Sequence, residues 1–168
     1  MVRWCRRHIT RRFPNFQFIH CDVYNGVYNR FGKTAPEDYR FPLPDASFDV
    51  VFATSVFTHL QPPAAASYLA ECARILKPGG KFFGTFFLIE SGIRSPDDAL
   101  HFQHPVQDVA LSHDALKPEW AIAYRTEWVL AQASQAGLKL IPPVYFGSWT
   151  GRKNERDYYQ DALFFTRP

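Results

Sequence analysis

Asp22 closes a run, Phe16-Gln-Phe-Ile-His-Cys-Asp22, whose aromatic and β-branched residues read as a short strand, with Asn25 and Gly26 in the loop beyond it. A carboxylate at a strand's end can serve a ligand or cap the following turn. His59 stands one helical turn after the loop Thr54-Ser55-Val56. Its imidazole can act as a general base, orient a hydroxyl, or simply pack under a neighbouring loop. His101 and His104, with His113-Asp114, offer metal-ligating atoms, but their spacing fixes no second shell and no metal is assigned. Glu71 and Arg74 have the spacing of a helix-surface pair and are read as structural. Gly79-Gly80 follows a helix and precedes a strand, the reverse of a phosphate-cradling loop, so its job is the turn. Cys5, Cys21 and Cys72 are too widely spaced for a disulfide framework or a paired-cysteine zinc site, and are read as reduced and buried.

The elements that must position these residues follow from periodicity. Val2, Cys5, Ile9 and Phe13 recur at helical spacing until Pro14, an amphipathic helix able to cover a sheet. Turn chemistry from Phe41 to Ser47 leads into Phe48 to Ala53, whose continuous apolarity predicts a parallel strand buried on both faces. Pro62 and Pro63 open a helix in which Tyr68, Leu69, Cys72, Ile75 and Leu76 share a face, and Lys77-Pro-Gly-Gly80 stops it. Lys81 to Ile89 is the next strand. Strand, helix and strand make a right-handed crossover, with the loops after both strands on the edge where open α/β sheets bind ligands. Glu90 to Pro118 shows neither period and reads as a long, lid-like connection over that edge. Arg125 to Ala136 is a helix ended by Gly137. Leu138 to Ser148 is an edge or bulged strand because of Pro142 and Pro143, Arg152 to Asp157 is a polar turn, and Asp161 to Thr166 is the last strand.

With 168 residues, 46% of them hydrophobic, the chain suits one compact domain, and its 16 Phe suit the filling between a sheet and covering helices. No apolar run reaches the roughly 20 residues of a membrane-spanning helix, and the first residues lack a signal's apolar centre, so the expected location is cytoplasmic. Arg3, Arg6, Arg7, Arg11 and Arg12 concentrate basic charge in one terminal segment, while the remainder carries 14 basic against 16 acidic residues. A nucleic-acid binder spreads its basic stripe over a face, so a solvated helix face is preferred to a polyanion patch or a targeting segment.

LPDASFDVV, TSVFTHL and YLAECARILKPGG occur in that order between Phe41 and Phe87, and this segment resembles the middle of class I S-adenosylmethionine-dependent methyltransferases of the small-molecule, type 11-like kind. FQFIHCDVYN resembles their preceding strand and the terminal strand pair their antiparallel hairpin, so the resemblance covers nearly the whole chain. It implies an α/β, Rossmann-like fold with a mostly parallel sheet and a C-terminal antiparallel strand pair. It also implies S-adenosyl-L-methionine as cofactor and a small-molecule methyl acceptor. Asp22 matches the acidic residue that binds the adenine amino group, with the Val23 backbone beside it. Thr54, Ser55 and Val56 match the loop beneath the methionine part, and the downstream His59 either faces the acceptor pocket as a base or, the preferred reading, packs under the lid. Trp120, Tyr124 and Trp128 could line the acceptor pocket or pack in the core.

The family's glycine-rich loop has no counterpart, since no G-x-G-x-x-G occurs, and the acidic residue that grips the ribose is also absent. The expectation is therefore an N-terminally truncated single domain over residues 1–168, beginning in the helix after the second strand, with roughly 30 or more residues of a crossover unit missing. Without the first strand, the strand at Phe48 to Ala53 should present an open edge that invites self-association. Methyl transfer, by this chain or as part of a longer one, is the leading reading. A non-catalytic remnant or subunit acting by association is the alternative, and polyanion binding by the arginine-rich helix stands third.

Overall fold

The computed structural model describes residues 1–90, 101–151 and 158–168. The polar turn expected at 152–157 and the start of the lid-like connection at 91–100 lie outside the described residues.

The chain opens with α1 (Val2–Cys5), which continues as a π-helical turn over Arg6–Thr10. Neither buries a residue, so the segment does not cover the sheet. Phe16 to Asp22 forms no strand. It runs beside no ladder, and the first pairing is an isolated bridge between Val23 and Thr34. Strand-like composition needs a neighbouring edge to become a strand, and none lies alongside among the described residues.

From β1 (Phe48–Ala53) the chain passes through a 3-10 turn at Phe57–His59 into α2 (Pro62–Ile75), with Pro62 and Pro63 in its first turn, where their missing N–H groups cost nothing. β2 (Leu76–Phe86) follows at once, and β3 (Leu88–Ile89) after it. The connection expected to be irregular contains β4 (His104–Val106) and β5 (Ala110–Ser112), strands too short to show a period in sequence. Then come β6 (Ile122–Arg125), α3 (Thr126–Gln135), β7 (Lys139–Tyr145) and β8 (Asp161–Thr166). Gly137, at φ 84°, takes the left-handed conformation that ends α3.

The strands form two four-stranded sheets, one in the order β1-β2-β8-β7 and the other β3-β6-β5-β4. In the first, β1 is parallel to β2, as a right-handed crossover through α2 requires, and β8 lies antiparallel between β2 and β7. The register of β7 against β8 shifts between Ile141 and Tyr145, where Pro142 and Pro143 lack the N–H a ladder needs.

One face of this sheet is packed. Leu69 and Ala73 of α2 and Val129 and Ala133 of α3 join Phe57, Phe82, Phe86 and Phe165 in the main core. The rings of Phe57 and Phe86 lie 4.7 Å apart, those of Phe57 and Phe82 5.9 Å, and those of Phe82 and Phe165 5.9 Å. Gly84 makes room for them, because a Cβ there would come within 2.8 Å of Phe86 and 2.9 Å of Phe82. The opposite face is open. Val50 is 61% and Phe52 72% exposed, so β1 is not buried on both faces, and it stands at the sheet's edge.

A smaller cluster of Phe87, Ala121, Ala123 and Trp149 joins the second sheet to the first. Beside it the Asp161 carboxylate, 1% exposed, accepts hydrogen bonds from the Leu88 N–H (2.6 Å), the Gly147 N–H (2.7 Å) and the Trp149 indole (2.7 Å). Three donors satisfy a charge that burial alone would penalise heavily.

Candidate functional site

The loop after β1 and the segment from Cys21 to Pro36 come together at the edge where β1 ends. Ser55 turns that loop with a φ of 53°, a conformation that costs a non-glycine residue energy, and its N–H donates to Thr85 Oγ1 on β2 at 2.8 Å. Val56 then leads into the Phe57–His59 turn. This turn is fixed from beneath by Tyr124, which is fully buried. Its hydroxyl donates to the main-chain oxygens of Phe57, at 2.9 Å, and Leu60, and its ring stacks on Trp128 at 5.3 Å. Burial raises the Tyr124 phenol well above its ordinary value, so it stays a neutral donor. Tyr124 and Trp128 are thus packed in the core, and Trp120 is 54% exposed.

The facing wall is a loop held by its own hydrogen bonds. Lys33 and Thr34 both donate to the main-chain oxygen of Asp22 at 3.1 Å, and Tyr24 donates to that of Thr34 at 2.8 Å. Asn25 ties this loop to the histidine turn. Its Oδ1 accepts from the N–H groups of Val27 (3.0 Å) and Tyr28 (2.9 Å), an Asx turn, while its Nδ2 donates to the His59 main-chain oxygen at 3.1 Å. Asn29 Nδ2 donates to the main-chain oxygen of Val23 at 2.8 Å.

Two cavities flank His59. One, of about 480 Å³, is walled by Cys21, Val23, Tyr28, Ser55, Val56 and Tyr68; the other, of about 310 Å³, by Lys33, Glu37, Gln61, Pro63 and Glu119. Tyr24, Asn25, His59 and Leu60 line both. The larger volume lies within the range of small-ligand and cofactor sites, and its mixture of aromatic, aliphatic and amide walls matches their usual lining. Of the positions singled out in the sequence, Val23, Ser55, Val56 and His59 meet at the larger cavity. Asp22 and Thr54 are adjacent in the chain, but their side chains do not line it.

The His59 ring is held at both nitrogens. Nδ1 lies 3.1 Å from the main-chain oxygen of Glu119, and Nε2 lies 3.4 Å from the Tyr28 hydroxyl, whose ring meets the imidazole edge-on at 5.0 Å. A carbonyl only accepts, so Nδ1 carries a proton and the neutral ring keeps its lone pair on Nε2. Glu119 is fixed in turn by Gln61, whose Nε2 donates to its carboxylate at 2.6 Å. Tyr28, Asn25, Gln61 and Glu119 were not legible as site residues. Tyr28 and Glu119 stand 31 and 60 residues from His59, and only Asn25-Gly26 left a local trace, as turn chemistry.

The remaining chemistry-bearing residues are structural. Arg74 donates to both Glu71 oxygens at 2.7 Å, to the main-chain oxygens of Phe41 and Leu43 at 2.9 Å, and to Asp45, stapling α2 to the turn before β1. Hydrogen bonding from Arg74 holds the Glu71 and Asp45 carboxyls below their ordinary values. Cys72 is buried, its thiol pushed up to about 12 by desolvation, whereas Cys21 is exposed and Cys5 half-buried, against the expectation that all three are buried. His113 Nδ1 accepts from the His101 N–H at 3.2 Å, and among the described residues no group of three or more His, Cys, Asp or Glu is placed to hold a metal. No helix of the described residues is long and apolar enough to cross a membrane.

Comparison with known proteins agrees with this architecture. The methyltransferase-domain family matches residues 1–84, half of the chain. A probable S-adenosylmethionine-dependent methyltransferase of Mycolicibacterium smegmatis is 36% identical over 75 residues, 45% of this chain and 23% of that protein. A sterol 24-C-methyltransferase of Gibberella zeae is 28% identical over 102 residues, 58% of this chain and 26% of that one, so the chain spans about a quarter of each. The crystal structure of the PH0226 protein of Pyrococcus horikoshii superposes with a TM-score of 0.54 at 15% identity, covering 99% of this chain and 66% of that one. A TehB-like S-adenosylmethionine-dependent methyltransferase of Corynebacterium glutamicum superposes with a TM-score of 0.50 at 15% identity, covering 96% and 62%. At such identities the superpositions speak for the fold, which is the Rossmann-like α/β architecture. With half of its residues matched by that family, the chain belongs to the methyltransferase-domain family.

Proposed function

We propose that this chain forms part of an S-adenosyl-L-methionine-dependent methyltransferase acting on a small-molecule acceptor. The observation that carries the reading is the gathering of Val23, Ser55, Val56 and His59 around one cavity of about 480 Å³ beyond the end of β1. The cofactor supplies a sulfonium methyl. Val23 and the Ser55-Val56 loop would hold it. Ser55 is preset by its bond to Thr85, so the loop needs no ordering when a ligand arrives. Most of the acceleration in such a transfer comes from bringing two reactants into line, which is a matter of rigid walls. The Tyr124 bonds beneath the His59 turn supply that rigidity. His59 is needed as a base only where the acceptor must lose a proton.

Calorimetric titration of residues 1–168 with S-adenosylhomocysteine tests the reading. Binding is expected, weakened at least tenfold in a Val56→Asp variant that introduces a charge into the cavity wall; heat changes identical for the variant and the parent would count against this cavity as the site.

The exposed edge of β1, with Val50 and Phe52 beside it, favours a second reading in which the chain acts through association, with itself or with another chain. Sedimentation separates the two. A monomer at tens of micromolar that binds S-adenosylhomocysteine supports the first, and an assembly without binding supports the second.

A further inference from the structure

We propose that Tyr28 is a proton relay between the methyl acceptor and His59, so that the acceptor meets the phenolic hydroxyl and not the imidazole. The proposal rests on the reading of the chain as a methyltransferase.

Its basis is the hydrogen-bonding capacity of three groups. The Glu119 carbonyl oxygen accepts from Nδ1 at 3.1 Å, which leaves Nε2 as the basic atom of neutral His59. The group that meets Nε2, at 3.4 Å, is the Tyr28 hydroxyl, which donates to it. An acceptor approaching His59 therefore finds its lone pair already engaged. The rest of Tyr28 is open, since the residue is 66% exposed and lines the larger cavity, so the phenolic oxygen presents its own lone pairs to whatever occupies that space.

A relay follows without movement of either ring. The acceptor's O–H or N–H proton passes to Tyr28 Oη as the phenol's own proton passes to His59 Nε2. The phenol ends neutral, the imidazole ends as imidazolium, and the acceptor atom keeps the electron pair of its broken O–H or N–H bond. The imidazolium donates from Nδ1 to Glu119 and from Nε2 to Tyr28, so each protonation state has a partner at both nitrogens. Only the direction of the Tyr28 hydroxyl changes.

The arrangement is held from several sides. Asn25 fixes the N–H of Tyr28 and the carbonyl of His59 with one side chain, and Gln61 holds the Glu119 carboxylate. Lys33 and Glu37 are the other charged groups around the ring, across the smaller cavity that His59 also lines.

Nitrogen NMR of the 168-residue chain with 15N-labelled histidine tests the relay without needing the acceptor. His59 is assigned as the signal lost in His59→Gln. At about pH 8, where imidazoles are largely neutral, the proton should reside on Nδ1. Tyr28→Phe should move the Nε2 resonance toward that of a free, unbonded imidazole nitrogen while Nδ1 stays in place. Asn25→Ala, which releases Tyr28 without removing its hydroxyl, should produce the same displacement. A proton on Nε2, or an Nε2 resonance unmoved by Tyr28→Phe, overturns the relay. Titration of the same samples with S-adenosylhomocysteine keeps the two failures apart. The expected tautomer without binding removes this cavity as the cofactor site, and binding with the wrong tautomer removes the relay alone.

Discussion

The first forty residues and the segment from Phe57 to Leu88 are held by different physics. No residue in the first forty is buried, and hydrogen bonds within and between loops fix their shape. The later segment supplies Phe57, Leu69, Phe82 and Phe86 to a core in which each is at most 1% exposed. The candidate site lies on the seam, with Val23, Asn25 and Tyr28 on the loosely held side and Ser55, Val56 and His59 on the packed one. Chemistry that needs precise placement here depends on a few polar bonds across that seam, Asn25 to His59 above all.

Substitutions can break this contrast. Phe82→Ala, which empties a position between Phe57 and Phe165, should lower unfolding free energy by about 3–5 kcal/mol in urea denaturation. Asp161→Asn should cost about 2–3 kcal/mol, because one of the three donors then faces an amide NH2. Arg74→Met should cost less than that, and it carries a pH signature. Glu71 and Asp45 have folded values below their unfolded ones, so their contribution is present above the ordinary carboxylate range of 4.5 and 3.8 and fades as pH falls through the lower folded values. Acid titration of stability should show that fall in the parent chain and a flatter curve in Arg74→Met. Phe16→Ala, in the exposed segment, should stay within about 0.5 kcal/mol of the parent. A loss there matching that of Phe82→Ala would mean that the first forty residues share the core after all.

The packed region was the legible one. Helix α2, the β1-α2-β2 crossover, the antiparallel pair β7 and β8, and the Glu71–Arg74 pair all follow from periodicity, proline placement and residue spacing within a dozen positions. The stretch Phe16 to Asp22 misled because its aromatic and β-branched composition states a preference for a sheet, while pairing depends on an edge elsewhere in the chain. β4 and β5 were invisible for the opposite reason, having three residues each and so no period to detect. At the candidate site, Ser55, Val56 and His59 were singled out by the family resemblance and their place after a strand, and they line one cavity. The partners that orient His59 reach it from distant positions and carry no mark of the task.

The Arg74 staple bears on what the family resemblance of this chain reports. The run that announces the family most clearly, from Tyr68 to Gly80, contains the guanidinium that clamps the turn before β1 and contributes only Tyr68 to the wall of the larger cavity. None of the clamp's partners, Phe41, Leu43, Asp45 and Glu71, lines that cavity, so a resemblance read from this stretch reports the bracing of the fold and not the chemistry of the cavity.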